Sequence, residues 1–285
     1  MRPFRRALVS LVAVASALAL QFGQSPAHVA PSNKHLRWIL NGPALASFTS
    51  DPVALRFFAD AGPFVLQRNG AAITIPPAWK SLPIRSFTNY AAMARAFATG
   101  AIGPEVRGIL YDSEVWDFTP EDEQRRVADY TKKAADLVHS HGLVFLTAPA
   151  VNLVRKLDPS QAQAGAKRYD GYVKARLAAD SARYADVFVI QAQGSEADLA
   201  KYRSFVSAAA HQAREAKPNI IVLAGISTNP GGQKVNANII LAAIEGTRGS
   251  VDGYWFNVPA PGKYCPRCSE FRPDMALDVI RRLGR

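Results

Sequence analysis

Eight short apolar runs, each closing on polar or turn residues and each followed by a helical pattern, constrain this chain more than any other feature. They are LRWIL (Leu36 to Leu40), PFVLQ (Pro63 to Gln67), PIRSF (Pro83 to Phe87), GILYD (Gly108 to Asp112), LVFLT (Leu143 to Thr147), VFVIQ (Val187 to Gln191), IIVLA (Ile220 to Ala224) and GYWFN (Gly253 to Asn257). Such runs alternating with amphipathic segments are the signature of repeated βα units. Eight is the number that a closed barrel needs, so the predicted fold is α/β, a single-domain (β/α)8 TIM-type barrel. An open doubly wound sheet is the alternative. It is disfavoured because no Gly-rich dinucleotide fingerprint follows an early strand.

Local signals agree with this parsing. Asp51-Pro52 reads as an N-cap with a proline at the first helical position, and Thr119-Pro120-Glu121-Asp122 opens a helix running toward His139. Ser195 reads as the cap of a helix with Asp198 at its third position. Gly62, Gly142 and Pro218 fall where helices must stop before the next strand. AAITIPPAWKSLP is too rich in proline for a clean helix and reads as an extended loop.

The N-terminus is read apart from the barrel. MRPFRR is a basic n-region, Ala7 to Leu20 an apolar h-region, and Ser25-Pro26-Ala27 a small-residue cleavage candidate, the pattern of a secretory signal peptide. The apolar run is shorter than the roughly 20 residues that span a bilayer, so no stable membrane anchor is expected after cleavage. Residues 1–30 are thus assigned to the signal and 31–285 to the barrel, with cleavage near Ala27 to Ala30 and a secreted or extracytoplasmic location. The mature length of about 255 residues is typical of such a barrel.

The formal charge of +11 drops to +8 once Arg2, Arg5 and Arg6 leave with the signal. A basic exported chain suits the neighbourhood of anionic polymers, although solubility alone accounts for the charge equally well. No dense Lys/Arg cluster interleaved with aromatics is present, so nucleic acid is not an expected partner. The two cysteines, Cys265 and Cys268 in YCPRCSEF, are expected to form a local disulfide in an oxidising compartment. A thioredoxin-like role would place them at the start of a helix after an early strand, and a structural zinc site would need about four ligands.

In a (β/α)8 barrel, chemistry sits at the C-terminal ends of the strands. The candidate rim here is polar, with Asn41, Arg68, Gln191, Gln193 and Asn257 among its residues, yet it has a single carboxylate cluster, Asp112 and Glu114. Side chains alternate along a strand, so Leu110, Asp112 and Glu114 share one face, with Leu110 deepest and both acids aimed into the mouth. Two carboxyls so close in a partly dry site cannot easily both ionise, which suits a general acid held protonated near neutral pH. The structural alternative has Glu114 and Asp117 solvated and Asp112 capping backbone amides. Gln191 and Gln193 either bind sugar hydroxyls or satisfy backbone groups at a strand end. Trp116, Tyr254 and Trp255 either stack on a sugar or pack the rim. STNPGGQ (Ser227 to Gln233) reads as a turn, and His139 and His141 fall at the barrel's bottom. Nothing in the spacing calls for a metal, and no cofactor is expected.

RGILYDSE (Arg107 to Glu114) resembles the fourth-strand signature of family-18 glycoside hydrolases, the chitinases and endo-β-N-acetylglucosaminidases, in which a glycine-led strand ends in Asp-x-Glu. LVFLTAP (Leu143 to Pro149) resembles the fifth strand of the plant-type chitinases in that family, and the similarity spans the order of strands four to eight. The resemblance implies that Glu114 protonates the glycosidic oxygen. It also implies that Asp112 orients the substrate's N-acetyl group, whose carbonyl oxygen attacks the anomeric carbon. A seventh strand without an acid agrees with such substrate assistance. Glu196 is the nearest other carboxylate, and it is expected in a helix's first turn. The chain also departs from the family pattern: Leu110 stands where a further Asp is usual, Gln191 or Gln193 where a tyrosine is usual, and Asn257 where a tryptophan is usual, with Trp255 two residues earlier. The expected activity is hydrolysis of a β-linked, N-acetylhexosamine-containing glycan. Asn41, Arg68, Gln191, Gln193, Trp255 and Asn257 would line the substrate. The alternative is a glycan-binding barrel of the cell envelope without catalysis.

Overall fold

The computed structural model describes residues 36–67, 74–158, 160, 166–233, 235–263 and 265–284. The expected signal segment and Arg68 lie outside them. Eight parallel strands close into a barrel in sequence order: β1 (Arg37–Asn41), β2 (Phe64–Gln67), β3 (Leu82–Phe87), β4 (Gly108–Tyr111), β5 (Val144–Thr147), β6 (Val187–Ile190), β7 (Ile221–Ser227) and β8 (Gly253–Asn257). β1 pairs with both β2 and β8, which is the closure itself. Gly253 sits on that seam, where a Cβ would collide with the backbone of Arg37.

The strands read as apolar runs because both faces are buried. Ile39, Phe64, Leu66, Ile84, Leu110, Leu146, Val187, Val189, Leu223 and Trp255 fill the interior. The alternate residues, among them Trp38, Val65, Tyr111, Phe145, Phe188, Val222 and Phe256, face the helices outside. Those helices are α1 (Gly42–Ser50), α2 (Pro52–Phe57), α3 (Tyr90–Ala98), α4 (Glu121–Arg125), α5 (Val127–Ser140), α6 (Val154–Leu157), α7 (Ala166–Lys174), α8 (Leu177–Ala182), α9 (Leu199–Ala216), α10 (Ala237–Thr247) and α11 (Pro273–Leu283).

Asp51 caps α2 as expected, accepting from the N–H groups of Val53 and Ala54. Three local expectations are corrected. The helix toward His139 breaks at Arg126 into α4 and α5. The cap of α9 is Asp198, whose carboxylate accepts from the N–H of Lys201; Ser195 lies in a separate 3-10 turn, Gln193–Ser195. PPAWK is not an extended loop: Pro77–Trp79 form a 3-10 turn, and Trp79 is buried against Phe58 and donates to the Leu55 carbonyl at 3.2 Å. Leu82 of β3 begins only three residues after Trp79, so this turn sits at the N-terminal end of β3, packed against α2.

The bottom is also fastened by one device used twice. Asp186 and Asp252 each precede a strand, and each accepts the N–H of the strand before it, Phe145 at 2.9 Å and Val222 at 2.9 Å. Each carboxylate is met by a helix side chain as well, His139 at 2.9 Å and Arg214 at 3.0 Å. His139 is therefore part of a structural clasp on the face away from the carboxylate pair, as the sequence places it.

Candidate active site

Strand alternation carries through to the mouth. Leu110 is fully buried inside the barrel, and Asp112, two residues on, is 9% exposed at the C-terminal rim. Asp112 is anchored at its backbone, where its N–H donates to the Phe87 carbonyl of β3. Glu114 is half-buried on the loop that follows. Neither carboxylate caps a backbone amide in the way the structural alternative requires. Asp112 Oδ1 instead accepts from Gln191 Nε2 at 2.7 Å, and the same nitrogen donates to the Ala148 carbonyl at 2.8 Å.

Burial, and then the neighbouring Glu114 charge, push the Asp112 carboxyl well above the ordinary carboxylate range, against the pull of the Gln191 hydrogen bond. Burial raises Glu114 as well, opposed by hydrogen bonds involving Gln191 and Asn152. Each therefore keeps its proton to a higher pH than an ordinary carboxyl does.

The β4 loop is held in place by groups that the sequence did not single out. Thr119 Oγ1 accepts from the Glu114 N–H at 3.3 Å and from Trp116 Nε1 at 2.8 Å, and donates to the Thr88 carbonyl at 2.7 Å. Asn152 Oδ1, from the rim after β5, accepts the Val115 N–H at 2.9 Å. Glu123 is buried on α4 and accepts from the Tyr111 hydroxyl at 2.7 Å and the Tyr90 N–H at 2.8 Å, tying α3, β4 and α4 together. Trp116 is thus a member of this rim network. Across the mouth, the Lys263 ammonium lies 5.7 Å from the centroid of the Phe118 ring, bringing the loop after β8 to the loop after β4.

The other rim residues separate into two groups. Asn41 Nδ2 donates to Asn257 Oδ1 at 3.0 Å, joining β1 and β8, while Trp255 faces the interior below them. Asn41 Oδ1, Trp255 Nε1 and Gln193 Oε1 are buried polar atoms without a protein partner. Tyr254, by contrast, faces the helices, where its hydroxyl donates to the Ile244 carbonyl. Gln193 does not continue the strand's alternation, since β6 ends at Ile190 and the chain turns into a 3-10 helix. Its amide oxygen occupies the space that a Cβ on Gly225 would fill. Ser86, in register with Leu110 on the next strand, is exposed.

Glu196 is not a solvated first-turn residue. It is fully buried, its Oε2 accepts the Ser227 N–H at 2.8 Å, and its Oε1 has no partner. Burial raises its pKa well above the usual value, with the Ser227 hydrogen bond opposing. It holds the end of β7 and does not face Asp112 or Glu114. After β7, Pro230–Gly232 form a 3-10 turn, consistent with a turn in STNPGGQ.

Cys265 and Cys268 are joined by a disulfide, with Cα atoms 5.4 Å apart. Among the described residues, no three His, Cys, Asp or Glu side chains are grouped to hold a metal ion, and no helix is long and apolar enough to cross a membrane. A cleft of about 490 Å³ lies among α4, α5 and α8 on the outside of the barrel, lined by side chains of both signs such as Arg125, Asp129, Lys174 and Asp180. None of its lining residues belongs to the carboxylate pair or to the side chains that hydrogen-bond it, so chemistry and not cleft size selects the mouth.

The chain is thus a closed parallel (β/α)8 barrel with one coupled carboxylate pair at its C-terminal rim. No protein-family model matches it, and no curated protein does. Solved structures with some likeness include one assigned as an α-L-fucosidase from Bacteroides thetaiotaomicron VPI-5482, with 11% identity over 68% of this chain and a TM-score of 0.41. The chain spans 61% of that protein's length. The YdjI aldolase from Escherichia coli K12 shares 12% identity over 80% of this chain and 77% of its own, with a TM-score of 0.40. A glycoside hydrolase family 17 β-1,3-glucanosyltransferase from Rhizomucor miehei shares 13% over 79% and 75%, with a TM-score of 0.36. None of these three is a family-18 enzyme. Scores of this size add nothing to the barrel already evident in the chain's own strand order.

Proposed function

We propose that this protein is an exported glycoside hydrolase acting on a β-linked, N-acetylhexosamine-containing glycan. The observation that carries the reading is the coupled pair itself: two acids one residue apart, raised by burial, at the rim where barrels do chemistry. Glu196, the other candidate acid, is turned onto the β7 backbone. A mechanism in which the substrate supplies its own nucleophile fits that arrangement.

In the proposed reaction Glu114 gives its proton to the glycosidic oxygen as the bond from that oxygen to the anomeric carbon breaks. The acetamido carbonyl oxygen attacks the same carbon, and Asp112 accepts a hydrogen bond from the acetamido N–H. Water then adds to the anomeric carbon and gives its proton to the Glu114 carboxylate, the bond to the acetamido oxygen breaks, and the acid is restored. The sugar leaves with its original anomeric configuration. Asn41, Asn257 and Trp255 line the opposite wall of the substrate site. The signal-like N-terminus and the Cys265–Cys268 disulfide support export.

Leu110 favours a second reading, a glycan-binding barrel without turnover, because no titratable group lies beneath Asp112 to exchange its proton. One experiment separates the two. Incubation with β-linked N-acetylhexosamine oligosaccharides is expected to release reducing sugar, and Glu114→Gln to lower the rate by about 10²–10⁴-fold. Saturable binding with no product would establish the second reading, and release unchanged in Glu114→Gln would remove Glu114 from the reaction.

A further inference from the structure

Gln191 reads from the sequence either as a side chain for binding sugar or as one that satisfies backbone groups at a strand end, and its hydrogen bonds include a backbone carbonyl and Asp112. A primary amide has two N–H hydrogens, and Nε2 of Gln191 donates to Asp112 Oδ1 at 2.7 Å and to the Ala148 carbonyl at 2.8 Å, while a hydrogen bond involving Gln191 also acts on Glu114. The Ala148 carbonyl can only accept, so it fixes the amide with nitrogen, not oxygen, toward Asp112. Asp112 Oδ1 must then be an acceptor. We infer that Gln191 is a positioning residue, which holds Asp112 by Oδ1 and leaves its other oxygen, Oδ2, to carry a proton. This rests on the proposed hydrolase reading for its consequence, since it keeps the proton beside the leaving group, but its geometry stands without it.

Among the described residues, Gln191 is the side chain whose hydrogen bond holds Asp112. Beside Asp112 stand Thr88 at the end of β3, Ala148 after β5 and Gln191 after β6, none of which titrates, while Glu114 is the one ionisable group acting on it. A donor to a charged acceptor is stronger than one to a neutral acceptor, so Gln191 favours the anionic form of Asp112 and partly offsets its burial.

The test is Gln191→Met, which keeps the length and removes the donor. Carboxyl ¹³C NMR titration of the unliganded protein is expected to show the upper apparent pKa of the pair rising by about one unit. In turnover, kcat is expected to fall about tenfold or more with KM within about twofold. An unmoved titration overturns the inference, as does a raised KM with unchanged kcat, which is the signature of a sugar ligand. Gln191→Asn keeps the amide but is one methylene short. It is expected to shift the titration in the same direction, and covers the case in which Met at this position loosens the fold. The titration needs no substrate, so a wild-type protein that hydrolyses nothing would sink the hydrolase reading while leaving Gln191 to be decided on its own.

Discussion

Replacing Asp112 with Asn tests whether the two acids act as one unit. The substitution keeps the shape and an oxygen for Gln191 Nε2, and it removes one charge. Glu114 lies on the loop just past β4, so the spacing of an extended chain, about 6.6 Å for two residues at about 3.3 Å each, sets only the scale of the separation. At an effective dielectric near 20, unit charges at that distance repel by about 2.5 kcal/mol, equivalent to about 1.8 pKa units. In the wild type burial raises both carboxyls, and the Glu114 charge raises Asp112 further. In Asp112→Asn only the burial of Glu114 remains. The basic limb of the kcat/KM profile should therefore move toward acid by one to two units, roughly, and kcat should fall about 10²-fold because the acetamido N–H loses its charged acceptor. The assay is hydrolysis of an aryl β-glycoside of N-acetylglucosamine between about pH 4 and pH 9, wide enough to hold both limbs of a carboxylate pair. A basic limb that stays in place would refute the coupling. A leftward shift without loss of kcat would keep the coupling but remove Asp112 from contact with substrate.

Two further predictions concern the scaffold. Gly253→Ala would press a methyl group into the backbone of Arg37 at the β8–β1 seam, and a loss of at least about 3 kcal/mol in urea unfolding, or no soluble protein, is expected; an unchanged midpoint would mean that the seam is not closed as described. Asp186 has its pKa lowered, because the hydrogen bonds from Phe145 and His139 outweigh burial. A group depressed in the folded state stabilises above its unfolded pKa, near 4, and loses that contribution as pH falls through the folded value. Asp186→Asn should thus destabilise the protein at pH 7 and flatten its acid-unfolding curve below about pH 4, and parallel curves for the two proteins would contradict the clasp.

The barrel was legible because its determinants are local. Strands buried on both faces must be apolar runs, and every boundary seen lies within three residues of the run that signals it, as Ile221–Ser227 does against Ile220 to Ala224. The inward face of Leu110 and Asp112 follows from period-two alternation and holds in the fold. The partners of the site were not legible, because they depend on closure. Gln191 is 79 residues from Asp112 and gives no sign in the sequence of which way its amide turns. Thr119 and Asn152 matter through one hydroxyl and one amide oxygen placed by loop geometry. Glu196 was misplaced for a specific reason. Two capping candidates lie three apart, Ser195 and Asp198, and the chain uses the second, so Glu196 falls in the preceding turn, where it is buried.

The central claim is that the acid pair works with a nucleophile supplied by the substrate. It is tested most directly by comparing two aryl β-glycosides that differ only at the second carbon of the sugar, one with an acetamido group and one with a hydroxyl. The account predicts that kcat/KM for the acetamido compound exceeds that for the hydroxyl compound by about 10²-fold or more, and that the excess vanishes in Glu114→Gln. Equal hydrolysis of the two compounds would contradict it.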